Sequence, residues 1–131
     1  MSNPNLLAAT TASGTTAYLT PGGTTALVLI RNAASSGTVL KINQIVAANV
    51  SGSSAVNTTV SVYTNGGVAP GSAPSGGTAY PIVSTVSVPA NASLIVVDKT
   101  SALYLMEDSS ISITSGTASG ITYTVSYEII S

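Results

Sequence analysis

The four carboxylates are the first residues to consider for chemistry, because they can transfer protons or hold a hard cation. Asp98 and Glu128 stand alone, whereas Glu107 and Asp108 are adjacent. Neighbouring residues of an extended strand point to opposite faces, so Glu107 and Asp108 are predicted to cap a turn rather than share a proton. A calcium site of Asp98, Glu107 and Asp108 is the alternative. No EF-hand-like spacing accompanies these residues, which disfavours it.

Nucleophilic and transition-metal chemistry lack their usual residues. The sequence has no histidine and no cysteine, which removes the commonest general base near neutral pH, the thiolate nucleophile and the best metal ligands. A serine nucleophile would need Lys41 or Lys99 as its base, and no Ser-x-x-Lys spacing leads to either lysine. No glycine-rich segment lies between a strand and a helix, so no phosphate-binding loop is indicated. The sequence therefore predicts a non-enzyme without catalytic residues, cofactor or metal.

Tyrosine is the only aromatic residue type in the chain and offers another means of binding a ligand. Tyr123 and Tyr127 fall on the apolar side of a strand pattern, where core packing is expected. Tyr63 and Tyr80 flank a glycine-rich loop. Because aromatic side chains form binding platforms on many β-domains, this second pair is the better candidate for a contact surface.

The scarcity of charge narrows the choice of partners. Charged residues make up 5% of the 131 residues and the net charge is −1, whereas soluble domains carry about 25% charged residues. No basic patch is available for nucleic acid or for an anionic membrane surface. Weak self-repulsion favours association, so the composition suits a protein that assembles with a lattice of partners. It suits an ordinary neutral β-domain equally well.

Neither a leader nor a membrane span is expected. The start, Met1-Ser2-Asn3-Pro4-Asn5, lacks the basic residues and the apolar stretch of a signal peptide. The longest aliphatic runs, such as residues 26–30, fall far short of the about 18 residues that suggest a membrane helix. We therefore expect the protein to be made in a cytoplasm, and the absence of cysteine leaves the redox compartment open.

Short β-branched segments separated by Gly, Pro, Asn and Ser predict an all-β chain. Apolar and polar residues alternate most clearly over residues 121–130. About eight strands are expected, at residues 24–32, 38–50, 57–64, 81–88, 94–98, 103–106, 110–115 and 121–130. A further strand is expected near Tyr18. Such spacing predicts an antiparallel β-sandwich or jelly roll.

The same alternation predicts the core and some of the turns. The core is expected to contain Ile42, Val46, Val60, Val62, Val86, Leu94, Val96, Leu105, Ile111, Ile113, Tyr123 and Val125. Asn65-Gly66-Gly67 and Ser36-Gly37 are expected to supply the positive φ of tight turns.

Two segments lack a core-like pattern. Residues 2–16 contain only Leu6 and Leu7 as large apolar residues, and residues 66–77 form a Gly/Pro/Ser loop. Both are either mobile or ordered by a neighbouring subunit. We predict that residues 1–17 are an interaction arm that adds to a neighbour's sheet edge, outside a single sandwich domain at residues 18–131. The alternative is that the arm folds back and covers an edge of its own domain.

The C-terminal third resembles a family of known proteins. It contains a turn and strand at Pro89-Ala90-Asn91-Ala92-Ser93-Leu94, a Leu103-Tyr104-Leu105 strand followed by acidic residues, and the ending Ser126-Tyr127-Glu128-Ile129-Ile130-Ser131. This pattern resembles small virion structural proteins of tailed phages that infect marine cyanobacteria and other aquatic bacteria. The resemblance covers about residues 38–131. The family often has Glu-Gly-Asp where this chain has Glu107-Asp108-Ser109.

The resemblance implies a structural protein of the virion rather than an enzyme. Decoration of the head, as a cement protein on the major capsid protein, is the expected role, with self-association into a homo-oligomer such as a trimer. A neck, tail or fibre component and a glycan-binding sandwich module remain the alternatives. The resemblance does not imply binding to nucleic acid or to a membrane.

Overall fold

The computed structural model describes residues 6–101 and 103–131, and these form an antiparallel all-β fold. Two single 3₁₀ turns, Leu6–Ala8 and Lys99–Ser101, are the helical elements of the described residues. The strands are β1 (Ala12–Leu19), β2 (Leu27–Asn32), β3 (Val39–Asn49), β4 (Val56–Tyr63), β5 (Ala79–Val88), β6 (Ser93–Val97), β7 (Leu103–Leu105), β8 (Ser109–Ser115) and β9 (Ile121–Ile130). The predicted fold class is confirmed.

The strands form two facing sheets. Sheet A has the order β1-β9-β3-β6, with β7 also paired to β3, and sheet B has the order β2-β8-β4-β5. Apart from the short β7, this is the order in which a jelly roll places its strands. The last two strands of the chain, β8 and β9, therefore lie inside the sheets, each between two strands that precede it in sequence.

The core fills the space between the sheets, as alternation predicts. Of the predicted core residues, Ile42, Val60, Leu105, Ile111, Ile113, Tyr123 and Val125 are buried, and the other five are half-buried. On β9, Ile121, Tyr123 and Val125 belong to the core and Tyr127 and Ile129 pack against it. The alternation of β9 therefore positions its residues as expected.

A β-bulge in β3 changes which residues face the core. Ile42 pairs with Tyr127 and Gln44 with Ser126, so Asn43 is an extra residue in β3. An extra residue reverses the alternation beyond it. Ile45 is consequently fully buried, and Val46, predicted to be a core residue, is only half-buried.

The predicted interaction arm needs correction over residues 12–17, which belong to β1 of the chain's own sandwich. Strand β1 pairs with β9 without a register shift, from Ala12 opposite Ile130 to Leu19 opposite Tyr123. Backbone pairing supplies the stabilisation that its small side chains cannot, and the inward Ala17 and Leu19 pack against the core. Residues 1–5 of the predicted arm lie outside the described residues.

The glycine-rich loop after β4 forms hydrogen bonds with its own domain. It leaves β4, passes the position of β8 in the sheet and reaches the outer edge of β2. There the Val28 N–H donates to the Ser72 carbonyl at 2.9 Å, and the Gly71 N–H donates to the Val28 carbonyl at 2.8 Å. Arg31 also donates to the Gly67 carbonyl at 3.2 Å. We call residues 64–78 the covering loop.

The turn glycines act in two different ways. Gly37 has φ +71°, as predicted, whereas the segment 65–67 contains no residue with positive φ. Gly66 is instead required by space, because a Cβ there would lie 2.2 Å from the Asn32 carbonyl oxygen. Its N–H donates to Asp108 Oδ1 at 3.1 Å. Gly66 thus anchors the start of the covering loop against the turn before β8.

Candidate functional site

The carboxylates lie in turns and on a sheet face, each with its own local role. Glu107 and Asp108 form the turn between β7 and β8, as predicted. The Gly37 N–H donates to Glu107 Oε2 at 3.3 Å and Asp108 accepts from Gly66. Among the described residues, no three Asp, Glu, His or Cys residues are grouped so that they could hold a metal ion. The calcium alternative therefore has no structural support there.

Asp98 caps the 3₁₀ turn Lys99–Ser101. Its Oδ1 accepts hydrogen bonds from the Thr100 hydroxyl at 2.6 Å and from the Ser101 hydroxyl and N–H at 3.0 Å each. These bonds, that from the Thr100 side chain first, hold the pKa of Asp98 below its ordinary value because they stabilise the carboxylate. The Asp98 side chain therefore stabilises the local turn.

The two tyrosines predicted to form a contact surface differ in their exposure to solvent. Tyr63 lies on the outer face of sheet B but is 7% exposed, because the covering loop lies against it and the Gly77 N–H donates to its hydroxyl at 2.9 Å. Tyr63 is therefore not a contact residue of the described surface, and that expectation is wrong. Tyr80 is 61% exposed and stays a candidate.

The other two exposed tyrosines lie on the outer face of sheet A. Tyr104 of β7 pairs in register with Lys41 of β3, and Lys41 pairs with Glu128 of β9. Glu128 in turn pairs with Gly14 of β1. One row across four strands thus carries an aromatic ring, an ammonium group and a carboxylate side by side, because directly opposed residues of antiparallel strands share a face.

The three side chains of this row border an open groove of about 440 Å³. Residues 9–12, together with Leu6, Lys41, Tyr104, Glu128 and Ile130, line the groove. Asn43 at the β3 bulge donates from Nδ2 to Glu128 Oε2 at 3.1 Å, which fixes the carboxylate. The arrangement offers a ring for stacking and both signs of charge for hydrogen bonding.

A second row on the same face is apolar at its ends. Tyr18 pairs with Thr124, Thr124 pairs with Val46, and Val46 pairs with Ile95. Tyr18 is 77% exposed and Ile95 57% exposed. The outer face of sheet A therefore presents two parallel rows, one charged and one apolar, of which Tyr18 lies at the β1 edge.

Sequence reasoning missed the charged row, although part of its signal was present. Alternation places Lys41 and Glu128 at outward positions of their strands. Their adjacency depends on the pairing of β3 with β9 and on its register, and these strands are far apart in sequence. Local patterns do not specify which distant strands become neighbours.

Within the described residues, no helix has the length and apolar character needed to cross a membrane. No protein-family model, no curated protein and no solved structure matches the chain.

Proposed function

We propose that this chain is a non-enzymatic structural protein of a bacteriophage virion, which decorates the head as a cement protein on the major capsid protein. The observation that carries the proposal is the resemblance of residues 88–131 to small virion structural proteins. In the fold, these residues supply β6 to β9. The resemblance therefore includes the strands at the centre of both sheets.

The strand order gives support by analogy. Viral capsid domains and lectins are among the proteins built as jelly rolls. Because one fold serves many functions, this likeness supports a virion role and a glycan-binding role equally.

The surface chemistry is also compatible with dense packing. Only 5% of the residues are charged, so many copies side by side would repel one another little. Their contacts would rest on apolar burial and on main-chain hydrogen bonds. Association with the virion would follow synthesis in the host cytoplasm.

A count of this polypeptide per purified particle, by quantitative mass spectrometry against the major capsid protein, tests the proposal. Decoration of the head predicts hundreds of copies, since a head has many equivalent positions. About six or twelve copies would assign the protein to the neck or tail, which have lower cyclic symmetry. Absence from purified particles would refute a virion role.

Glycan binding is the second candidate, and the groove of sheet A is the observation that favours it. Sugars stack on aromatic rings and hydrogen-bond to charged side chains, and Tyr104, Lys41 and Glu128 offer both in one row. Binding on a glycan array that is lost in Tyr104→Ala would support it. Tyr80→Ala tests the exposed tyrosine of sheet B in the same assay. Loss of binding in Tyr80→Ala with full binding by Tyr104→Ala would exclude the groove.

A further inference from the structure

The edges of the two sheets differ in how well they are protected. An unpaired edge strand presents free N–H and C=O groups to any other strand, so proteins usually cover, shorten or distort it. The sandwich has four such edges, formed by β1, by β6 with β7, by β2 and by β5. Three of them carry a recognisable protective feature within the described residues.

The two edges of sheet B are blocked. At β2, the covering loop occupies the edge through the two hydrogen bonds between Val28 and residues 71–72. At β5, Pro81 lacks an N–H, and two register shifts against β4 bend the strand. Thr85 within β5 also has φ +52°, which is incompatible with regular pairing. Neither edge can accept a long regular strand.

The edge of sheet A beyond β3 is interrupted. It consists of β6 and β7, which are five and three residues long and are separated by the 3₁₀ turn Lys99–Ser101. Strand β6 also has a register shift against β3. Short, broken edge strands are a common protection against pairing.

The edge formed by β1 has none of these features. It runs for eight residues, without a proline or a charged side chain, and its pairing with β9 has no register shift. Gly14, in its middle, has no heavy atom within 4 Å of the position of a Cβ. The preceding residues 6 and 9–11 line the groove with Tyr104 and Lys41. The chain before β1 therefore runs toward β3 and β7, away from the β1 edge.

The hydrogen bonds show which groups of β1 are free. Thr11 and Ser131 exchange two bonds, N–H to carbonyl at 3.1 and 3.0 Å. In an antiparallel ladder such pairs alternate with pairs that make no bonds to each other. The odd-numbered residues of β1 are therefore bonded to β9. The backbone groups that point away from β9 belong to Ala12, Gly14, Thr16 and Tyr18.

We propose that the free edge of β1 pairs with the same edge of a second copy, antiparallel and across a two-fold axis, to join two five-stranded sheets into one. Opposed residues must have their side chains on the same face of the joined sheet. The four residues with free backbone groups lie two on each side of Thr15, at equal spacing. Thr15 therefore opposes its own copy, Gly14 opposes Thr16, and Ala12 opposes Tyr18. In this register every free N–H and C=O of the four residues finds a partner.

The symmetric set of free backbone groups and the absence of charge on β1 together favour a second copy as the occupant. An acidic or basic partner strand would find no charge on β1 to pair with, whereas two uncharged β1 strands approach without repulsion. The Tyr18 ring, which is 77% exposed, would lie beside Ala12 of the second copy and the neighbouring Ile130. A two-fold interface of this kind is closed and self-complementary. It does not depend on the virion role, so the particle count and the test below can fail separately.

Sedimentation of the purified protein and of two variants tests the pairing. The wild-type protein should form a concentration-dependent dimer. Thr16→Pro removes an outward N–H without breaking a bond to β9, and it should shift the protein to the monomer. Thr16→Ala keeps the N–H and should remain dimeric. A monomeric wild type, or a dimer that Thr16→Pro leaves unchanged, would overturn the proposal.

Single cysteines test the register without relying on the proline variant. The chain has no cysteine of its own, so a disulfide can form only between introduced residues. Thr15→Cys should cross-link two copies under mild oxidation, because opposed residues of a non-hydrogen-bonded pair lie within disulfide distance. A cysteine at position 16 would oppose Gly14 of the second copy, so Thr16→Cys should not cross-link. Cross-linking at position 16 but not 15, or at neither position, would contradict the two-fold register.

Discussion

Tyr123 joins the two sheets through its hydroxyl group, although it is fully buried. It extends from β9 in sheet A and donates to the Thr114 carbonyl of β8 at 2.8 Å. It also shares a short hydrogen bond with the Thr58 hydroxyl of β4. Both partners belong to sheet B, so the residue fixes the position of one sheet over the other.

Tyr123→Phe should therefore destabilise the fold with little change in packing volume. The substitution leaves a buried carbonyl and a buried hydroxyl without their partner, which costs about 1–3 kcal/mol. Urea unfolding measures the difference. Tyr80→Phe, at an exposed site, is the control and should leave the unfolding free energy nearly unchanged. Equal stability of the two variants would show that the cross-sheet bonds contribute nothing.

The pH dependence of stability follows from the same residue. Burial raises the pKa of Tyr123 above its ordinary value of 10.0, and burial also raises the pKa of Tyr127. At high pH the unfolded chain therefore loses these protons before the folded chain does. Stability contributed by the neutral phenols is complete below about pH 10 and is lost as pH rises through the folded-state pKa values. Chemical unfolding between pH 8 and pH 12 should show this decline. A flat profile in the wild-type protein would contradict it, and Tyr123→Phe should reduce its slope.

At the scale of elements, the covering loop determines how one edge of sheet B is closed. Its start depends on Gly66, which packs against the Asn32 backbone and donates to Asp108. Its middle pairs with Val28 of β2. The loop thus replaces a fifth strand at that edge with irregular backbone.

Gly66→Ala should displace the loop or strain β2. The added Cβ would lie 2.2 Å from the Asn32 carbonyl oxygen, and backbone cannot yield as a side chain does. A cost of about 1–3 kcal/mol is expected, as for other overpacked sites. Gly52→Ala is the control, since a Cβ at Gly52 meets nothing within 4 Å. Hydrogen exchange at Val28 should rise only in Gly66→Ala. Protection of Val28 in that variant would mean that the loop does not depend on Gly66.

Strand positions could be predicted from alternation, but pairing and its exceptions could not. The predicted segments 57–64, 110–115 and 121–130 agree with β4, β8 and β9 to within a residue or two. The bulge at Asn43 left no local signal, so the inward position of Ile45 was missed. Only the end of β1, near Tyr18, was expected. Residues 12–17 were missed because their small side chains give little alternation, although the backbone of β1 pairs fully with β9. The charged row depends on the same long-range pairing.

The whole molecule has few charges with which to make ion pairs to any partner. Its association must therefore depend on apolar contact and backbone hydrogen bonds, which salt does not screen. Raising the salt concentration to about 1 M shortens the Debye length to about 3 Å and screens ion pairs. Because we expect no ion pairs at the interface, the oligomer should remain intact in sedimentation. Dissociation by salt alone would show that the few charged residues, Lys41 and Glu128 among them, lie at the interface.

The central positions of β8 and β9 also have a consequence for synthesis. A ribosome makes β1 to β4 first, yet each sheet has a vacant slot until β8 enters between β2 and β4, and β9 between β1 and β3. Folding of either sheet must therefore wait for the final strands, and these contacts span most of the chain, which slows folding. During that delay the vacant slots are open to the β8 and β9 of chains made on neighbouring ribosomes. Strand exchange on the polysome is consequently a misfolding route that this topology opens.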